Sequence, residues 1–198
     1  SKKHITVFRL CVFAFIMHAI ACTPGNPSVE LPKGDPGNGG LYLPGQFEAV
    51  VVTDSIGPAR HIAINNNGDI YVKLRTAKKG TGGNVAIRDT NNDGKADSIV
   101  NFGIYDTDGS LANCMRIHDD YLYFGSELVI YRQKLQSGQL VPDTKMETVF
   151  TDDHKHGRHW HITKPIAFDD KGHLYIPFGA PSNACQDLIR TPGGTPGI

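Results

Sequence analysis

The chain has 198 residues, with 20 Lys and Arg balanced by 20 Asp and Glu, so it offers no single-sign surface to a polyanion and nucleic acid is not an expected partner. Its 22 Gly and 12 Pro, without long runs of helix-forming residues, argue against a helical bundle or coiled coil. An apolar share of 39%, including 9 Phe and 7 Tyr, argues against wholesale disorder and leaves turn-rich β structure as the expectation.

The first 21 residues read as an export signal. Lys2, Lys3 and Arg9 precede an apolar stretch from Leu10 to Ile20, which is shorter than the roughly 20 residues a permanent membrane helix needs. The stretch ends in Ala19, Ile20, Ala21 and Cys22 and resembles a bacterial lipobox, which makes Cys22 the lipidated first residue of the mature chain. The expected location is therefore the bacterial cell envelope, with the protein exported, held to the membrane by lipid alone and facing the periplasm or the exterior. Removal of residues 1–21 leaves 17 basic against 20 acidic residues. Residues 22–40 follow as a tether, because nine of the 18 residues from Thr23 to Gly40 are Gly or Pro. The folded domain is expected over 41–198. Cys114 and Cys185 remain within it, and an oxidising compartment permits them to pair as well as to stand as buried free thiols.

Within the domain the dominant signal is a repeat. The runs Asp69 to Val72, Tyr121 to Phe124 and His173 to Ile176 place Tyr71, Tyr123 and Tyr175 at a constant spacing of 52 residues. Each run follows an alternating apolar strand (His61 to Asn65, Cys114 to His118, Pro165 to Asp169), and the turns between carry Asn67-Gly68, Asp119-Asp120 and Lys171-Gly172. Further strands are predicted over Asn84 to Arg88 and Asp97 to Phe102, then over Leu128 to Lys134 and Glu147 to Thr151. Four strands per repeat make a propeller blade, so the fold class is an all-β propeller of four-stranded antiparallel blades, with about two and a half blades present. The chain reads as the N-terminal part of a longer product. The apolar run Phe47 to Thr53 is predicted as an additional strand of the kind that completes a final blade.

Three groups of residues could carry chemistry. Asp89, Asn91, Asp93 and Asp97 stand at positions 1, 3, 5 and 9 of a calcium-type loop with Gly94 at position 6, but Val100 replaces the usual glutamate at 12. The loop is either a calcium site or an Asx-rich hairpin. His154, His156, His159 and His161 surround Trp160 in the segment between the second and third blades. They could form a metal site or a solvated loop, or one of them could be a general base near neutral pH. Arg60 and Lys164 are 104 residues apart, twice the repeat, which puts both just before an innermost strand, where a propeller rims its central channel; Ala112 is their equivalent in the second blade. Two such cations could hold an anionic ligand.

The segment from His161 through Lys164, Gly172, Tyr175 and Gly179 to Cys185 resembles the active-site blade of the glucose/sorbosone dehydrogenase family, six-bladed propellers that use pyrroloquinoline quinone (PQQ). Tyr71 to Arg75 and the loop of residues 89–97 are similar to its sorbosone branch. The resemblance spans roughly residues 45–190. It implies oxidation of a sugar or sugar aldehyde, with His161 taking the hydroxyl proton as hydride leaves the same carbon for the quinone. It further implies that Lys164 and Arg60 contact the cofactor, that calcium is present and that an external acceptor removes the electrons. Family contacts to quinone and calcium come largely from later blades, so this chain alone is expected to be inactive. Glucose-oxidising members carry an acidic residue where this chain has Ala180. Two other classes fit the same residues: a non-enzymatic ligand- or glycan-binding propeller, and a metal-dependent lactonase-like hydrolase using the His cluster or the acidic loop.

Overall fold

The structure is a computed structural model that describes residues 31–78, 80–105, 113–152 and 164–179, together with Pro192. The chain divides into two compact units, 1–31 and 32–198, and almost all of the first lies outside the described residues. In the second, β1 (Ala59–Ile64), β2 (Ile70–Lys78), β3 (Gly82–Arg88) and β4 (Ser98–Phe102) form one four-stranded sheet in sequential order. Strands β5 (Met115–His118), β6 (Tyr121–Gly125), β7 (Val129–Lys134) and β8 (Met146–Thr151) form a second, while β9 (Ala167–Phe168) and β10 (Leu174–Tyr175) start a third. Every pairing is antiparallel. The fold is therefore all-β, a partial propeller of four-stranded blades, and Tyr71, Tyr123 and Tyr175 each lie in the second strand of their sheet, as the repeat requires.

The hairpins between first and second strands form as their residues dictate. In the first, Asn65 N–H donates to Asp69 O and Gly68 N–H to Asn65 O, and Gly68 takes the positive φ of +92° that a side chain resists. The third repeats this arrangement with Asp169, His173 and Gly172. In the second, Asp119 and Asp120 both adopt positive φ, which matches a two-residue primed turn tolerated by Asx side chains. The repeated tyrosines tie the units together. The Tyr71 hydroxyl donates to Leu140 O of the next blade at 2.9 Å, whereas those of Tyr123 and Tyr175 meet Arg132 and Asp169 of their own sheets.

Packing between sheets supplies the core. Tyr71, Ala86 and Phe102 of the first blade bury against Met115, Leu122 and Phe124 of the second. On the opposite face of the second blade, Cys114, Tyr123 and Ile130 bury against Ile166, with Phe168, Leu174 and Ile176 of the third sheet alongside. Within the first blade the buried Asp69 carboxylate receives both Arg88 Nε at 2.6 Å and Arg88 Nη2 at 2.7 Å. This bidentate pair fixes β2 on β3.

One expectation changes, and one alternative that the sequence left open is decided. Residues 47–53 form no strand. No neighbouring strand offers them a ladder; their polar groups pair with the preceding segment instead. Val51 N–H donates to the Asp35 carboxylate at 2.7 Å, Asp35 N–H to Ala49 O, and Ala49 N–H to Asn38 Oδ1. The end of the Pro- and Gly-rich segment is thereby packed, with a tight turn over Pro36–Gly40, and the compact unit begins at Pro32. Second, Cys114 is a free thiol buried between the second and third sheets. Cys185 lies outside the described residues.

Candidate functional site

First strands of successive sheets bring the expected channel residues to one end of the blades. Arg60 lies at the register shift between Ala59 and His61, where β1 bulges against β2. It is exposed and makes no hydrogen bond or ion pair among the described residues. Lys164 differs from the solvent-facing rim cation that the repeat implied. Its side chain is 4% exposed, with Nζ 2.8 Å from Asp152 Oδ2, a carboxylate itself 6% exposed, and 5.5 Å from the centroid of the Phe178 ring. A buried ammonium needs such a partner because its desolvation is otherwise uncompensated. Lys164 thus joins the end of the second blade to the third, and of these two cations Arg60 is the exposed one, with no side-chain partner among the described residues. His161, together with His154, His156, His159 and Trp160, lies outside the described residues, as do Ala112, Ala180 and Cys22.

Between the innermost strands, the structure brings together a pair that sequence reasoning missed. Arg116 Nη1 on β5 is 2.6 Å from His61 Nε2 on β1, and His61 Nδ1 is 3.2 Å from Asn113 O. A guanidinium only donates, so Nε2 accepts and Nδ1 carries the proton to the carbonyl. Burial, and then the Arg116 charge, hold the imidazole below its ordinary pKa, which keeps it neutral. With both nitrogens engaged, His61 is a structural bridge across two blades and not a free base. The only sequence signal was its place beside Arg60, on a strand where polar residues are otherwise few.

A second polar group lies inside the first seam. Lys73 Nζ donates to Leu74 O and Gly83 O, both at 3.0 Å, and to the Tyr105 hydroxyl. Its cross-strand partner Asn84 is fully buried, and neither end of its side-chain amide has a hydrogen-bond partner among the described residues. Neither was a sequence candidate, because Lys at a strand position ordinarily faces water.

The loop of residues 89–97 joins β3 to β4 and closes on itself. The Asp89 carboxylate accepts N–H groups from Asn91, Asn92 and Gly94, Asn91 Oδ1 accepts that of Asp93, and Asp93 Oδ1 accepts that of Lys95. Asp97 Oδ2 accepts both N–H and hydroxyl of Thr90, which with backbone bonds holds its carboxyl below the usual range. Among the described residues no three His, Cys, Asp or Glu side chains converge as a metal set would. The carboxylates of Asp89, Asp93 and Asp97 serve here as acceptors that fold an Asx-rich hairpin, with Gly94 at a φ of +86°. Asp89→Ala should therefore lower stability by about 1 to 2 kcal/mol through lost loop bonds. Urea unfolding in calcium and in excess chelator checks this: equal losses are expected, and a loss seen only with calcium present would identify an ion as the loop's organiser.

No protein-family model matches the chain, and no curated protein does. Solved structures do. The holo form of the pyranose dehydrogenase PQQ domain from Coprinopsis cinerea is similar with a TM-score of 0.53 at 17% identity, covering 69% of this chain and 31% of that one. A calcium structure of carbohydrate-active enzyme family AA12 from Trichoderma reesei is similar with a TM-score of 0.51 at 18% identity, covering 67% of this chain and 32% of that one. At these identities the likeness is one of fold, and this chain spans about a third of the length of the proteins it matches.

Proposed function

We propose that the chain is the first part of a PQQ-dependent sugar oxidoreductase that oxidises a sugar or sugar aldehyde at the propeller's central channel. The observation that carries this reading is the fold likeness of its described blades to a PQQ domain, reached independently of the motif between His161 and Gly179. Neither neighbour is named for sorbosone, so the reading stops at the class of substrate.

Among residues of this chain assigned to the cofactor, Arg60 fits as described: an exposed guanidinium at the head of an innermost strand suits a carboxylate. Lys164 fits less well, since an anion would have to displace Asp152. When bound, the quinone supplies the hydride-accepting centre. His161 takes the proton from the substrate hydroxyl, a role that suits an imidazole near neutral pH. His61 and Arg116 hold the first two innermost strands together. Export, lipidation at Cys22 and transfer of electrons to an external acceptor belong to the same proposal.

The test uses the complete gene product, titrated with PQQ and assayed for dye reduction with a panel of aldoses and sugar aldehydes. Turnover should appear only with quinone. His161→Gln should reduce it by about 10² to 10⁴ at unchanged quinone affinity, the range for loss of a general base. Arg60→Ala should weaken quinone binding. Absence of quinone binding in the wild type would remove the enzymatic reading, and full turnover by His161→Gln would remove the base.

A further inference from the structure

The histidines among the described residues have unlike surroundings. His173 Nδ1 is 2.7 Å from Asp169 Oδ2 and His118 Nε2 is 3.3 Å from Asp119 Oδ2, so a proton gained at either ring meets a carboxylate. The charged neighbours of His61 are cations. On its own strand the next residue is Arg60. On β2 its register partner is Lys73, whose side chain therefore shares its face of the sheet and whose pKa of about 8 leaves it charged throughout the acid range. On β5 the facing group is Arg116, with Nη1 2.6 Å from His61 Nε2. The two residues before β5 add no charge: Asn113 presents its carbonyl, and burial pushes the Cys114 thiol up to about 12. None of the ion pairs among the described residues includes His61.

We propose that His61 is an acid-operated latch between the first two blades: neutral, it locks Arg116 onto β1, and protonated, it releases that guanidinium at the inner edge of the blades. Nε2 is the switching atom. In the neutral ring it accepts from Arg116 while Nδ1–H donates to Asn113 O. Protonation turns that acceptor into a donor and sets an imidazolium against a guanidinium, so the bond is lost and repulsion takes its place. The bond to Asn113 survives, because Nδ1 donates in both forms. Arg116 is the partner that moves. It is exposed, and its other hydrogen bond among the described residues is to its own neighbour, Met115 O, whereas Lys73 stays held by two carbonyls and the Tyr105 hydroxyl. Strands β1 and β5 are edge strands of their sheets, and Tyr71, Ala86 and Phe102 keep the seam behind them closed, so what opens is the edge. Burial and then the Arg116 charge hold the imidazole below its ordinary 6.5, which confines release to acid conditions. As pH falls, the unfolded chain takes up this proton before the folded one, so the latch contributes fully above 6.5 and is lost as pH drops through the lower folded value. Once released, Arg116 joins Arg60 as an exposed guanidinium without a side-chain partner. The latch belongs to the seam and stands independently of the quinone reading.

The test uses the complete gene product without cofactor. Crystals grown at pH 7.5 and transferred to pH 4.5 should show the separation of Arg116 Nη1 and His61 Nε2 opening from 2.6 Å to beyond about 3.5 Å, with the bond to Asn113 O kept. In solution, ring-nitrogen NMR of labelled histidine, with the His61 signals assigned by their loss in His61→Gln, should report a single proton on Nδ1 at pH 7.5 and a second on Nε2 at pH 4.5. The midpoint should lie below 6.5 and rise when Arg116→Gln removes the facing charge. His61→Gln also tests the linkage, because its carboxamide oxygen can accept from Arg116 but does not titrate. Its stability to urea should fall less steeply from pH 6.5 to 4.5 than that of the wild type. A bridge unchanged at pH 4.5 around a ring that carries both protons overturns the latch, and so does a ring still neutral at that pH or a midpoint at or above 6.5. A His61→Gln variant whose stability falls as steeply as the wild type's overturns it as well.

Discussion

Lys164→Met is expected to destabilise the chain by about 3 to 5 kcal/mol in the complete absence of quinone, because it breaks a buried ion pair and removes the ammonium that faces the Asp152 carboxylate. Asp152→Leu should cost a similar amount by removing the buried carboxylate that pairs with the ammonium. The double substitution Lys164→Met with Asp152→Leu should recover most of the loss, since replacing a buried ion pair with apolar residues of similar volume is often neutral or stabilising. The coupling energy between the two sites would then approach the sum of the two single effects, which is the signature of a direct pair rather than of two independent packing changes. Urea unfolding of the four proteins without cofactor measures it. A Lys164→Met variant as stable as the wild type, but with weakened quinone binding in the complete protein, would show instead that Lys164 is a ligand-binding cation and that its contact with Asp152 is incidental. Sequence position alone favours that second outcome; the geometry favours the first.

The contrast between Arg60 and Lys164 shows where sequence reasoning succeeds on this chain and where it stops. The repeat itself was legible because each of its determinants is local. Period-two alternation marks β1, β2, β5 and β6, and Gly68, Asp119, Asp120 and Gly172 adopt the positive φ values their turns need. The tyrosines at 71, 123 and 175 recur because an aromatic residue in the second strand faces the next seam or anchors its own sheet. What is not local could not be read. Residues 47–53 are an apolar, β-branched run like a strand, yet a strand requires a partner ladder, and theirs is replaced by Asp35 and Asn38. The role of Lys164 depends on Asp152 being folded against it, and the bridge from His61 to Arg116 spans 55 residues and two blades. Burial of Lys73 contradicts the preference of its residue type and follows only from the packing of Tyr105 over the seam. The loop of residues 89–97 carries the spacing of a cation site, but that spacing serves equally to saturate backbone N–H groups, and carboxylates that do one can do the other, so spacing alone does not separate the two uses.

Raising the pH from 8 to 9 is expected to stabilise the protein, and the cause is Lys73. Its ammonium is fully buried with two carbonyls and a hydroxyl as partners and no carboxylate among the described residues. Burial pushes its pKa down from 10.5 to about 8, against a smaller opposing effect of Cys114. Between those values the unfolded chain holds a proton that the folded chain has released, so stability rises with pH by at most about 1.4 kcal/mol per unit. The contribution is fully present above 10.5 and is lost as pH falls through 8. Two neighbours act in the opposite sense. Burial raises the Cys114 thiol from 9.0 to about 12, and burial followed by the Asp69 charge raises the Tyr71 hydroxyl from 10.0 to about 12. Each favours the fold below its unfolded value and withdraws that support as pH climbs toward 12. The sum is a rise of about 0.6 kcal/mol from pH 8 to 9, a level stretch to about pH 10 where Lys73 and Cys114 cancel, and a decline beyond it. Lys73→Met should abolish the rise and expose the decline from about pH 9. Cys114→Ala should remove the level stretch, so that stability climbs by about 2 to 3 kcal/mol before Tyr71 takes over. Urea unfolding at half-unit intervals from pH 7.5 to 10.5 measures all three curves by their shapes, which a constant packing loss at either site leaves unchanged. A wild-type curve that is flat to pH 9, or a Lys73→Met curve that parallels it, would show that the ammonium is paired or solvated and not held alone in the seam.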